Sequence, residues 1–338
     1  MRKLTTALIG CGSRGVGGHL KVLVGAEDLE LIAVCDVMEE RAKIAAEEYA
    51  GDDVEVCTDY RELMKRDDLD TVIISTNAAT HAEIALAAVK HGKHFVVEKP
   101  LSTSIPAARE LVSEAEKAKI KGMVCYQIRF MRFCEEMADV CREIGPVQIL
   151  LSHPRGMMKP QFLNPDPFCG IHDVISHHLD LASLFMGRDP TAVFSSFRRN
   201  SFTDTDAVDN ITVCIEYGEG DSARTANIVS TIGAQGIGDL FYVIGTKGLV
   251  SRAGGNELLV KRSDDEKTQR IEAPAAGGDS TRQLHAYFAQ WVRDQDGKMA
   301  PRSTLRDGLN SLLISLATFE SQKTGKKIKL ADFDGTTE

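Results

Sequence analysis

Three groups of residues have types and spacings that could do chemistry. The first is Gly10-Cys11-Gly12-Ser13-Arg14-Gly15, which follows an apolar run (4–10) and opens a helical pattern, with Asp36 closing the next apolar run. In that context Gly10 makes a tight turn, Gly12 lets a pyrophosphate approach the backbone, and Gly15 lets helix pack on strand. The phosphates then rest on free N–H groups at a helix N-terminus. Asp36 is placed to accept hydrogen bonds from ribose hydroxyls. Its carboxylate repels a 2′-phosphate, and Val37 and Met38 supply no cation, so NAD is expected rather than NADP.

The second group is Glu98-Lys99-Pro100, at the end of the run His94-Phe95-Val96-Val97. A lysine at the carboxyl end of a parallel strand stands where open α/β sheets bind ligands, and it can donate to a substrate hydroxyl. A solvated lysine at a strand exit fits the spacing equally well. The third group is Asp173, His177 and Asp180, which fall at i, i+4 and i+7 on one helical stripe. An aspartate one turn from a histidine can orient the imidazole and raise its basicity, which suits proton abstraction from a hydroxyl. Two plainer readings stay open, a satisfied core histidine and a metal set of His172, Asp173, His177 and His178. Neither a cysteine nor a further histidine lies at ligand spacing, so no metal is expected.

These groups need elements to hold them. Short β-branched runs at 4–10, 29–36, 71–76, 94–100 and 122–126 alternate with helical patterns near 15–26, 38–50, 80–91 and 103–119. Continuous apolar strands in βαβα order predict a parallel, doubly wound α/β sheet. Ser102 or Thr103 is placed to cap the last of these helices. Beyond Arg142 the pattern turns to strands at 147–154, 192–199, 209–220, 222–233, 239–252 and 256–273, interrupted by helices at 173–186 and 304–323. Turn chemistry in GEGDS and GTKG predicts mainly antiparallel pairing. The expectation is a Rossmann domain over 1–124 and an α+β domain on an open sheet over 125–338. The C-terminal helix is expected to pack back on the first domain, and a partner subunit to cover the open face as a homo-oligomer.

The balance of the 338 residues is that of an ordinary globular protein, 43% hydrophobic and 26% charged. A formal charge of −9 argues against nucleic acid as a partner. No apolar run approaches the roughly 18 residues needed to span a bilayer, and the N-terminus reads as a first strand rather than a leader. The eight cysteines are scattered without a Cys-x-x-Cys pair, so reduced thiols in a cytoplasmic protein are expected.

Taken together, the sequence resembles the glucose–fructose oxidoreductase / inositol dehydrogenase (Gfo/Idh/MocA) family over nearly its whole length. The resemblance rests on GCGSRG with Asp36, STNAATHAEIALAAVKHGKHFVVEKPLS (75–102), IRF (128–130), DVISHHLDLASLFMG (173–187), GTKG (245–248) and SLLISLATFESQKTGKKIKL (311–330). It implies that Lys99, Asp173 and His177 act on the substrate. It also implies an NAD site of Gly10 to Gly15, Asp36, Ser75, Thr76, Asn77, His81, Glu98, Lys99 and Gln127. The expected reaction moves hydride between a secondary alcohol of a sugar or cyclic polyol and nicotinamide. Transient oxidation in a glycosidase or lyase without net redox remains an alternative, as does a non-catalytic NAD-binding regulator. Asn77 stands where the family often has proline, and the proline-rich stretch 153–170 departs most from the family. Arg129, His153, Arg155 and Met158 are the candidate substrate contacts.

Overall fold

The computed structural model describes residues 2–51, 53–154, 171–199, 208–231, 238–273 and 279–335, without the side chains of 50 and 171–174. Two compact units emerge. One holds the chain to Phe130 together with a later stretch ending at Leu309; the other holds Met131 onward and the chain from Asn310.

The first unit is built on β1 (Leu4–Ile9), β2 (Leu29–Cys35), β3 (Glu55–Cys57), β4 (Thr71–Ile74), β5 (His94–Val97) and β6 (Gly122–Val124). Their order is β3-β2-β1-β4-β5-β6, and every pairing is parallel. Connecting them are α1 (Lys21–Leu23), which continues a helical turn over Gly15–Leu20, then α2 (Glu39–Ala45), α3 (Tyr60–Met64), α4 (His81–Lys90) and α5 (Ile105–Ala118). This is the doubly wound sheet that the continuous apolar runs predict. All four residues of β4 are buried, as a strand covered on both faces requires. The chain reverses direction across the sheet between β1 and β4, which puts the topological switch point at the carboxyl ends of those strands. Ser104, not Ser102 or Thr103, caps α5 by accepting from the Ala107 N–H, while Ser102 accepts from the Ser104 N–H.

The second unit opens with α6 (Arg132–Ile144) and carries β7 (Pro146–Pro154), α7 (Ile171–Met186), β8 (Ala192–Arg198), β9 (Asn210–Tyr217) and β10 (Arg224–Thr231). It continues through β11 (Leu240–Gly245), β12 (Gly248–Gly254), β13 (Glu257–Arg262) and β14 (Gln269–Glu272). After α8 (Ser280–Arg293) and α9 (Leu305–Thr324), β15 (Ile328–Lys329) completes a nine-stranded sheet of order β14-β13-β12-β11-β7-β10-β9-β8-β15. All pairings are antiparallel except β7 with β10. Strand period 2 sorts the two faces. Ile149, Leu151, Val193, Ile228 and Phe241 are buried, whereas Leu150, Phe194, Val229, Leu240 and Ile244 are exposed.

Of the helices not expected from the sequence, α3, α6 and α8, the two longer ones are amphipathic. In α8, Thr281, Leu284, His285, Phe288 and Ala289 form the buried stripe and Asp279 caps the first turn. This helix belongs to the first unit, where Leu284, Phe288 and Ala289 join the core around Leu8, Val34 and Met123.

Candidate functional site

A cavity of about 610 Å³ lies at the switch point of the first unit, walled by Gly10, Gly12, Ser13, Arg14, Asp36, Ser75, Thr76 and Asn77 among others. Each glycine has its own constraint. Gly10 sits at φ +100°, and a side chain there would strike the Ser75 carbonyl; a Cβ on Gly15 would run into the Gly10 carbonyl. At Gly12 nothing of the protein lies within 4 Å of an added Cβ. The fold therefore makes no demand for glycine there, and a ligand approaching that backbone would. Ser75 points the same way, because its buried hydroxyl lines the cavity with no hydrogen-bond partner among the described residues. Asp36 is buried and held by two backbone donors, the Cys11 N–H to one oxygen (2.8 Å) and the Met38 N–H to the other (2.9 Å). Open backbone at Gly12, a fixed carboxylate and an unsatisfied hydroxyl fit a dinucleotide.

The wall also contains cations that the sequence reading missed. Arg41 and Arg61 both line the cavity. Arg61 is tied to Asp59 and Glu83, the latter also accepting from the Tyr60 hydroxyl. The absence of a cation at Val37 and Met38 is thus a weaker argument against NADP than it looks in the sequence, since α2 and α3 bring arginines from further along the chain.

Below this wall, Glu98 at the end of β5 is buried. One of its oxygens accepts from Arg14 Nε (2.5 Å) and His19 Nε2 (3.0 Å), and the other from the Lys99 N–H (3.1 Å). Burial pushes the Glu98 carboxyl up, but the hydrogen bond and charge of His19, with Arg14 behind them, outweigh it and hold it below the ordinary carboxylate range. His19 in turn pairs through Nδ1 with His285 Nε2 of α8 at 2.9 Å. Glu98 does not line the cavity; it anchors Arg14, which does, and the backbone of half-buried Lys99. His81 is likewise buried beside the wall, its ring nitrogens facing the Pro100 carbonyl (2.7 Å) and the Thr76 carbonyl (3.3 Å). Gln127 begins the short helical turn after β6, with Oε1 accepting from the Cys125 thiol at 3.8 Å.

Two candidate substrate contacts have other employment. Arg129 is buried in the first unit, where it donates to the Arg302 carbonyl (2.6 Å) and pairs with Asp307 (3.1 Å), so it clasps the segment before α9. His153 is buried in the second unit at the end of β7, with Nδ1 at 2.7 Å from an Asp239 oxygen. Arg155 and Met158 lie outside the described residues. Within the second unit, α7 carries Asp173, whose side chain is likewise outside them, and His177, which is half-buried. Ile175, Leu179, Leu181, Ala182 and Phe185 form the buried face of this helix. His178 and Asp180 are buried as well. His19, His285 and Cys125 were not singled out in the sequence. Of these only His19, on the helix opening after the glycine loop, carried a positional signal.

Residues 4–126 match the model of the oxidoreductase family's NAD-binding Rossmann fold, and residues 143–330 match that of its C-terminal alpha/beta domain. Inositol 2-dehydrogenase of Salmonella typhimurium is 29% identical over 225 residues, 64% of this chain and 65% of the relative. A glycosyl hydrolase family 109 protein from a Shewanella species is 34% identical over 145 residues, 39% of this chain and 30% of that protein. The matched region thus spans just under two thirds of the dehydrogenase and less than a third of the hydrolase. Levoglucosan dehydrogenase, solved with NADH and levoglucosan, has a TM-score of 0.80 at 21% identity, covering 97% of this chain and 100% of its own. An Agrobacterium radiobacter oxidoreductase solved with NAD+, L-tartaric acid and magnesium has a TM-score of 0.82 at 19% identity, covering 98% and 99%. With both of its domains matched in order and a dinucleotide cradle in the first, the chain belongs to the Gfo/Idh/MocA oxidoreductase family.

Proposed function

We propose that the protein is an NAD-dependent oxidoreductase acting on a secondary alcohol of a sugar or cyclic polyol. The observation that carries this reading is the switch-point cavity with Asp36 fixed in its wall, in a chain that also has Lys99 at the carboxyl end of β5 and His177 on α7. Bound NAD would supply the hydride acceptor. Gly10 to Arg14 would hold its phosphates and Asp36 its ribose hydroxyls, with Ser75, Thr76 and Asn77 lining the same cavity. His177 takes the proton of the substrate hydroxyl, with Asp173 one helical turn earlier orienting the imidazole. Lys99 donates to a substrate oxygen and stabilises negative charge as it develops. Glu98 fixes the Lys99 backbone and Arg14, while His81 packs between Thr76 and Pro100 with one ring N–H to donate; both act by positioning.

The preference for NAD over NADP rests on Asp36, with Arg41 and Arg61 as the residues able to oppose it. A screen of inositols, hexoses, amino sugars and nucleotide sugars with each cofactor tests both points. Turnover is expected with NAD, and Lys99→Ala and His177→Ala should each lower kcat by about 100-fold or more while NAD still binds. Wild-type turnover in either variant removes that residue from the mechanism.

The glycosyl hydrolase relatives favour a second reading, in which transient oxidation of a sugar leads to loss of a substituent and the cofactor is restored within each turnover. The two readings differ in whether NADH accumulates with product.

A further inference from the structure

We propose that the second unit contains a binding site for a divalent transition-metal ion, formed by His153, His178 and Asp239. One ligand atom from each of the three lies within 4.8 Å of the others. They come from different elements: His153 from the end of β7, His178 from α7 and Asp239 from the residue before β11. His153 and His178 are 2% and 0% exposed, whereas histidine is on average only partly buried. Their rings approach to 4.4 Å between centroids at a 54° tilt, too oblique for parallel stacking.

The surroundings hold the triad in place. His178 stacks on Phe241 at 5.6 Å and 22°, which fixes its plane. The Ser230 hydroxyl donates to the His153 carbonyl at 2.9 Å and pins the end of β7 to β10. Metal bonds of about 2.0–2.2 Å at tetrahedral angles put ligand atoms roughly 3.4 Å apart. His153 Nδ1 and Asp239 Oδ1, now 2.7 Å apart, would part slightly, and the remaining ligand atoms need to move by no more than about 1.5 Å to close on an ion. Two imidazoles and one carboxylate suit zinc, cobalt, nickel or iron(II) and not magnesium or calcium, which prefer all-oxygen shells. A fourth position would be left for water or another ligand.

The competing account is an ion pair. Arg252 stacks on Phe133 at 3.9 Å and feels the charge of Asp239, so the carboxylate has a second cation nearby. In that account His153 and Arg252 share Asp239, and His178 only fills the core. Sequence spacing gives no hint of a metal here, because the three residues are far apart in the chain.

Chelator-stripped full-length protein titrated with cobalt(II), then zinc, separates the two. The expected result is about one ion per chain, visible cobalt d–d absorption from a nitrogen and oxygen shell, and displacement of cobalt by zinc. His178→Phe, which keeps the stack on Phe241, and Asp239→Asn should each weaken binding by ~10-fold or more. Circular dichroism and NAD affinity report whether each variant is folded. If His178→Phe fails to fold, Asp239→Asn decides, since Asp239 is partly exposed. No bound cobalt in the wild type, or cobalt binding unchanged in Asp239→Asn, overturns the proposal in favour of the ion pair.

Discussion

At the scale of single residues, burial and charge make the chain sensitive to acid. His285 is fully buried, and that burial, helped by the neighbouring His19, holds its imidazole well below the usual histidine range. In the unfolded chain it titrates near ~6.5. Below that pH the unfolded state takes up a proton that the folded state refuses, so stability falls as the pH drops. His81 and His94 are lowered by burial too and add to the same slope. Glu98 has the carboxylate version of the effect: its contribution is present above the unfolded value of about 4.3 and is lost as the pH falls toward its depressed folded value. Tm measured by calorimetry should therefore decline between pH 7 and 5, and His285→Gln should flatten part of that decline. An unchanged slope in His285→Gln would show that the His19–His285 pair is not coupled to folding. None of this was legible in the sequence. Asp36 and Lys99 announce themselves through neighbouring motifs, whereas Glu98 is held by Arg14 of the glycine loop and His19 of the helix after it, with His285 of α8 behind His19.

At the scale of elements, the turn between β1 and the following helix separates folding demands from ligand demands. Gly15 packs against the Gly10 carbonyl, and Gly12 faces open space. Gly15→Ala is expected to cost about 1–3 kcal/mol in denaturant melts through overpacking. Gly12→Ala should leave stability within about 0.5 kcal/mol and reduce NAD affinity by ~10-fold or more, because only the ligand meets the new methyl. Equal stability losses in the two variants would contradict this division. Regular elements with one clear period were readable in advance: the buried parallel strands, α7 and most strands of the open sheet. Those that escaped were short or polar-rich. β3 has three residues, β15 has two, and α8 hides its apolar stripe among Arg282, Gln283, Gln290 and Arg293. The parallel pairing of β7 with β10 could not be read from turns, since no turn joins them.

At the scale of the whole molecule, the second unit's sheet leaves Leu150, Phe194, Val229, Leu240 and Ile244 exposed on one face. An apolar face of this kind costs solubility unless it is covered, and we propose that a second copy of the chain covers it. Light scattering after gel filtration is expected to give a dimer or tetramer, and the double variant Phe194→Glu with Val229→Lys to shift it toward monomer. A monomeric wild type would remove that proposal. No helix among the described residues is long and apolar enough to cross a membrane.

The central claim is that hydride leaves the substrate carbon and departs as reduced cofactor. Once a turned-over sugar or polyol is found, the decisive measurement uses that substrate deuterated at the oxidised carbon, with mass spectrometry of free cofactor and product. Net oxidation predicts one deuterium in released NADH for each molecule of ketone formed. Deuterium retained in the product, with no NADH released, would contradict it and favour the transient-oxidation reading.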